Sequence, residues 1–159
     1  MKKYLHPGLF TMALILTIIL FSCEKEDEGF HQISALENSV AMKINQYRNS
    51  IDSSAFVTQY IMFEEAHILS KQLANDVIQP DGTEIREKMA ELTSNFGGDQ
   101  SAYLTFTSQN AIADSIFAIV HDDPPSLEIV ESTFTQLGVG VYTTQDNVSY
   151  VTLLFMNIP

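Results

Sequence analysis

The sequence predicts an α+β fold: a three-layer α-β-α sandwich around a small, mainly antiparallel sheet. Three observations lead there. Apolar residues recur at steps of three and four through most of the chain after residue 33, the period of amphipathic helices. Two β-rich runs near the end, Gly138–Tyr142 and Val148–Phe155, flank the polar stretch 143–147 and read as an antiparallel hairpin. The second run is apolar on both faces towards its end, as in a strand covered from both sides. Helices first, strands last and a sheet covered twice make three layers.

The elements follow in order. Ile33, Leu36, Val40, Ile44, Tyr47 and Ile51 define one helical face. Asn49-Ser50 and Asp52-Ser53-Ser54 mark a loop. Met62, Ala66, Leu69 and Leu73 form the apolar face of a second helix that stops near Asn75-Asp76. Gln79-Pro80-Asp81-Gly82 is a turn, and Asp81 with Glu84 has the spacing of a capping box for a helix carrying Ile85, Met89 and Leu92. Phe96-Gly97-Gly98-Asp99 breaks that helix, and Tyr103–Phe106 favours a strand. Ile112, Ile116 and Ile119 define a further helix, ended by Asp122-Asp123-Pro124-Pro125 and followed by a helical turn over Leu127–Val130. In the hairpin, Gly138 and Gly140 share one face of their strand, so another element can approach there at close backbone distance. No internal repeat is visible.

The first 35 residues carry a different kind of information. Met1-Lys2-Lys3 precedes the apolar run Leu9–Phe21, which is shorter than the roughly 20 residues a spanning helix needs. A basic start and a short apolar core are the marks of a signal peptide. Leu20-Phe21-Ser22-Cys23 resembles a bacterial lipobox, in which the cysteine becomes the lipidated first residue. Cys23 is the chain's only cysteine, so an internal disulfide is impossible. A thioether-linked lipid with an acylated amino terminus would anchor firmly, where one chain binds only marginally. Glu24-Lys25-Glu26-Asp27-Glu28 resembles the acidic run that directs lipoproteins of the Bacteroidetes to the cell surface, and it also suits a solvated tether. The expected organisation is a signal peptide over 1–22, a lipidated cysteine and tether over 23–35, and a domain over 36–159.

Charge narrows the partners. The chain carries net −12; without residues 1–22 it loses Lys2 and Lys3, leaving six basic against 20 acidic residues, or −14. Such a surface is repelled by nucleic acid. Tryptophan is absent, which weighs against a dedicated lectin.

Beside this reading, the chain resembles the CAP superfamily, the SCP-like domain of pathogenesis-related proteins and many bacterial secreted proteins. The residues that carry the resemblance are Ile44-Asn45-Gln46-Tyr47-Arg48, Pro80-Asp81-Gly82 and Phe134-Thr135-Gln136-Leu137-Gly138-Val139-Gly140-Val141-Tyr142, in that order. It spans Leu36 to Asn157 and implies the same α-β-α sandwich. Bacterial members of the family carry a histidine before the PDG turn, a glutamate in a Gly-Glu-Asn motif and a second histidine before the final hairpin, around a cleft that holds a divalent metal in some members. Here those positions fall on Val77, Ser101 and Pro125, and the histidine of eukaryotic members falls on Thr133. The resemblance therefore implies the fold without the family's metal site, and neither metal nor cofactor is expected. The possible cleft comprises Val77, Ser101, His121, Asp122, Pro125 and Thr133.

Other candidate chemistry is sparse. Glu64 and His67 have an E-x-x-H spacing, but a di-iron bundle needs a second such motif and two further glutamates. His121-Asp122-Asp123 sits at a helix end, where the dipole favours a histidine and the acids suit a loop. His31, beside the tether, is expected to face water. No G-x-S-x-G, S-x-x-K or phosphate-binding glycine loop is present. The sequence thus points to a lipid-anchored envelope protein, at the outer membrane or cell surface. A degenerate CAP-like domain would bind a small ligand or an envelope protein without catalysis. The alternative is a hydrolase with a relocated site on His121, Asp122, Asp123 and Ser101. A third reading is an α+β lipoprotein of unrelated fold.

Overall fold

A computed structural model describes residues 30–158. The leader, Cys23 and the acidic run lie outside the described residues. The compact unit starts at His31, earlier than the expected boundary at residue 36. His31 and Ser34 are already tied into it by hydrogen bonds to Glu37.

The elements are α1 (Ala35–Ser50), β1 (Val57–Thr58), α2 (Tyr60–Ala74), α3 (Thr83–Asn95), β2 (Gln100–Ser108), α4 (Ala113–His121), α5 (Pro124–Glu131), β3 (Gln136–Thr143) and β4 (Ser149–Asn157). The sheet order is β1-β3-β4-β2; β1 runs parallel to β3 and the other two pairings are antiparallel. This is the α+β sandwich with a small, mainly antiparallel sheet. Among the described residues, no helix is long and apolar enough to cross a membrane.

Alternation along β4 separates two cores. Val151, Leu153 and Phe155 face one side with Leu137, Val139 and Val141 of β3, against α1, α4 and Val130 of α5. Leu154 and Met156 face the other side, against Met62, Ala66, Leu69 and Leu73 of α2 and Ile85, Met89 and Leu92 of α3. On β3 that second face is Gly138 and Gly140. A Cβ on Gly138 would lie 2.4 Å from the Met62 carbonyl oxygen, and one on Gly140 would lie 2.0 Å from the Ala66 carbonyl carbon. The missing side chains let the α2 backbone lie directly on the sheet, as their shared face suggests. Ser70 then bolts the helix down: its hydroxyl donates to the Gly140 carbonyl (3.0 Å) and lies 2.9 Å from the Thr152 hydroxyl, from which it can accept.

Some local expectations shift. The α3 cap is Gly82 rather than Asp81, and no side chain bonds there; the Asp81 carbonyl instead accepts from Arg86. The break at Asp122–Pro125 is a helix start: Asp123 accepts from the Ser126 N–H, and prolines occupy the first turn, where an N–H would have no partner. In α4 the buried positions are Ile116 and Val120, while Ile112 and Ile119 are exposed. The strand around Tyr103 extends to the full length of β2, because it pairs along its whole length with β4.

The INQYR stretch holds α1 in place. Asn45 brackets the backbone of Phe56, donating to its carbonyl (3.0 Å) and accepting from its N–H (2.7 Å). Tyr47 donates to Glu131. Arg48 is buried and stacked 4.0 Å over the Phe56 ring. Its guanidinium donates to the carbonyls of Ser54 (2.6 Å), Val130 and Ser132 (2.9 Å), so three backbone acceptors from two segments converge on one side chain. Burial pushes its pKa down from the ordinary value. Arg48→Ala, leaving those carbonyls without the donor, is expected to cost ~3 kcal/mol in chemical denaturation. Arg48→Lys is expected to recover little, since an ammonium lacks the planar fork.

Candidate functional site

The most concentrated ionisable chemistry among the described residues lies where the N-terminal segment meets α1, α2 and β3. Glu37 is fully buried on α1. Ser34 caps this helix: its hydroxyl accepts from the Glu37 N–H (3.1 Å), while its own N–H donates to Glu37 Oε2 (2.8 Å). That reciprocal arrangement turns the Glu37 side chain back towards the helix start. There the carboxylate meets the Val141 N–H of β3, which donates to Oε1 over 3.0 Å. His31 Nε2 lies 2.9 Å from Oε2, and His67 Nδ1 lies 3.1 Å from Oε1.

The two imidazoles stack with centroids 3.7 Å apart and planes inclined by 16°. Their side chains are 15% and 24% exposed, so both rings reach solvent at one edge while the carboxylate does not. Tyr142 meets the His67 ring edge-on at 6.1 Å, and the Tyr60 hydroxyl donates to the His31 carbonyl over 2.7 Å. His67 comes within reach because α2 sits directly on Gly140: the His67 nitrogen would be 2.2 Å from a Cβ there.

Burial by itself pushes the Glu37 carboxyl up. The hydrogen bonds from His67, the Ser34 and Val141 N–H groups and His31 outweigh it and bring the pKa down from 4.5 to about 2. The result is a carboxylate held in its ionised form at neutral pH and faced by two imidazoles. The three donor atoms lie within 4.8 Å of one another, a spacing that can converge on one metal ion.

This corrects the expectation that His31 faces water, and it places His67 in a cluster. Glu64, its E-x-x-H partner, is not part of that cluster. Sequence periodicity passed over Glu37, although it stands three and seven residues before the buried Val40 and Ile44 and closes the Ser34-x-x-Glu37 capping box.

Among the sequence-predicted cleft residues, the contact the structure shows is between His121 and Asp122. Val77 is 65% exposed beyond the end of α2. Ser101 is exposed on β2, opposite Met156. Pro125 and Thr133 are exposed at the start of α5 and beyond its end. His121 lies 3.1 Å from Asp122, with their side chains 48% and 77% exposed, and its ring packs on Tyr47 and Phe117. Asp123 is occupied as the α5 cap. No hydrogen bond or ion pair among the described residues joins Ser101 to this group, so the relocated hydrolytic constellation is not assembled. The positions that correspond to the family's metal ligands do not fit a metal either: Val77 and Pro125 have no donor side chain, and Ser101 and Thr133 offer only hydroxyls.

Comparison with known proteins bears on the fold. No protein-family model and no curated protein matches the sequence. Among solved structures, the chain is similar to an outer surface protein from Borrelia burgdorferi. The TM-score is 0.68 at 12% identity, over 81% of this chain and 97% of that one. It is also similar to an extracellular protein containing an SCP domain from Bacillus anthracis, with a TM-score of 0.64 at 14% identity, over 77% of this chain and 40% of that one.

Proposed function

We propose that this chain, whose described domain has the SCP-like fold, is a lipid-anchored cell-envelope protein that binds a ligand or partner without turning it over. What supports the reading is that the resemblance places the family's ligand positions on Val77, Ser101, Pro125 and Thr133, in a domain whose fold is similar to that of an SCP-domain protein. Ile44, Asn45 and Arg48 of INQYR and the two hairpin glycines serve the architecture of the domain.

The anchor is proposed at Cys23, supported by the apolar leader and the lipobox-like Leu20-Phe21-Ser22. The similarity to an outer surface protein over nearly all of that chain supports a surface role for a domain of this kind. Residues 24–30, fully extended, span at most ~25 Å. A lipid at Cys23 would therefore keep the end of the domain that carries His31 close to the membrane.

Expression in a bacterial host tests both parts. Intact mass of the membrane-extracted protein is expected to show a chain beginning at Cys23 with a diacylglyceryl thioether. Cys23→Ala is expected to lose that mass and leave the membrane fraction. An unlipidated wild-type chain would refute the anchor. Hydrolysis of a peptide, lipid or glycan, abolished by substitution of a cleft residue, would refute the non-catalytic role.

A further inference from the structure

We propose that His31, Glu37 and His67 form a binding site for a borderline divalent cation of the zinc type, separate from the positions where the family places its metal. Two imidazoles and one carboxylate are a donor set that zinc accepts with a fourth position left for water or a ligand. Tetrahedral zinc, with bonds of about 2.0–2.1 Å, holds its donor atoms ~3.4 Å apart. The three donors already lie within 4.8 Å of one another, and the two stacked rings must tilt out of their near-parallel arrangement for both nitrogens to point at one ion.

The ligands are gathered before any ion arrives. The Ser34 and Val141 N–H groups hold one carboxylate oxygen each, and both can stay in place because each oxygen has a second lone pair. The Tyr60 hydroxyl holds the His31 backbone, and close packing of α2 on Gly140 holds His67. The partly exposed ring edges offer a path for the ion and its water.

Binding exchanges hydrogen bonds for coordination and involves no redox step. The nitrogens that face the carboxylate, His31 Nε2 and His67 Nδ1, must be bare to coordinate. A proton there leaves to solvent or reappears on the opposite ring nitrogen, and the ion takes its place between ring and carboxylate. The carboxylate charge is then balanced by the cation, and the hydrogen-bonded staple becomes a metal-closed one. The ion would thereby join the N-terminal segment to α2 through Glu37.

The test uses the full chain in detergent with Cys23→Ser, so that no thiol competes, and Co²⁺ as the spectroscopic probe. One equivalent of Co²⁺ is expected to give visible d–d absorption that Zn²⁺ abolishes, and Zn²⁺ is expected to raise the melting temperature. His67→Gln and His31→Gln, both at partly exposed rings, are expected to stay folded by circular dichroism. Each should weaken binding by more than the ~10–100-fold that loss of an outer partner costs. His121→Gln should bind as the parent does. A folded parent showing neither Co²⁺ absorption nor a Zn²⁺-dependent shift, or binding that survives both His31→Gln and His67→Gln, would overturn the site. Neither result bears on the lipid at Cys23, so the anchor and the metal site stand or fall separately.

Discussion

Glu37→Ala is expected to destabilise the domain by about 3–5 kcal/mol, the range for removing one partner from a buried charged network. The loss has several parts. The Ser34 and Val141 N–H groups lose their acceptor, each at about 1–3 kcal/mol if water does not replace it. The two imidazoles lose the anion that holds them against each other. The N-terminal segment loses its attachment, so amide exchange at residues 31–34 should rise beyond what global destabilisation explains. Glu37→Gln keeps the shape but turns an NH₂ group towards a backbone N–H that needs an acceptor, and it should fall between alanine and the parent. Urea denaturation of the three proteins measures the order.

Gly140→Ala is expected to cost ~3 kcal/mol or more, at the upper end of overpacking effects. The added Cβ would lie 2.0 Å from the Ala66 carbonyl carbon and 2.2 Å from both the Ala66 oxygen and the His67 nitrogen. All three are backbone atoms of α2, so no side chain can rotate away. The helix must lift, straining the Ser70 bonds to Gly140 and Thr152 and drawing His67 from Glu37. A fall in melting temperature of ~10 °C corresponds to this cost in a domain of this size. Gly97→Ala is the matching control. Gly97 has φ +66° with nothing within 4 Å of an added Cβ, so only the left-handed conformation opposes alanine. Its cost should stay near ~1 kcal/mol.

The contrast between these sites shows what the sequence could disclose. Gly138 and Gly140 were readable because strand alternation puts them on one face whatever lies opposite. The two-sided apolar run of β4 likewise announced two cores. Both signals are local and periodic. The β1 strand has only two residues and pairs with Gln136 and Leu137 far along the chain, so nothing local marks it. The His31–Glu37–His67 cluster was illegible for the same reason. His67 and Glu37 are 30 residues apart, and what joins them is the descent of α2 onto Gly140. His31 precedes the first helix in a segment whose composition reads as tether. Only Glu37 left a trace, as a carboxylate on the apolar stripe of α1, where an unpaired charge would be too costly to bury. Conversely, His121-Asp122-Asp123 looked like chemistry because its residues are adjacent in sequence. In the fold they divide between edge-on and tilted aromatic contacts and a helix cap.

The central claim is that a buried Glu37, ionised well below its ordinary range, joins the N-terminal segment, α2 and β3. A folded pKa depressed from 4.5 to about 2 gives stability that is complete above pH ~4.5 and is lost as the pH falls towards 2, ~3 kcal/mol in all. The direct measurement is the carboxyl ¹³C shift of Glu37 in glutamate-labelled protein, titrated downwards from pH 7 with the Val141 amide followed alongside. The carboxyl is expected to remain ionised through pH 4 while the fold persists, with protonation and loss of the Val141 bond occurring together nearer pH 2. A carboxyl that titrates at or above pH 4.5 in the folded protein, leaving the Val141 amide unchanged, would contradict the account.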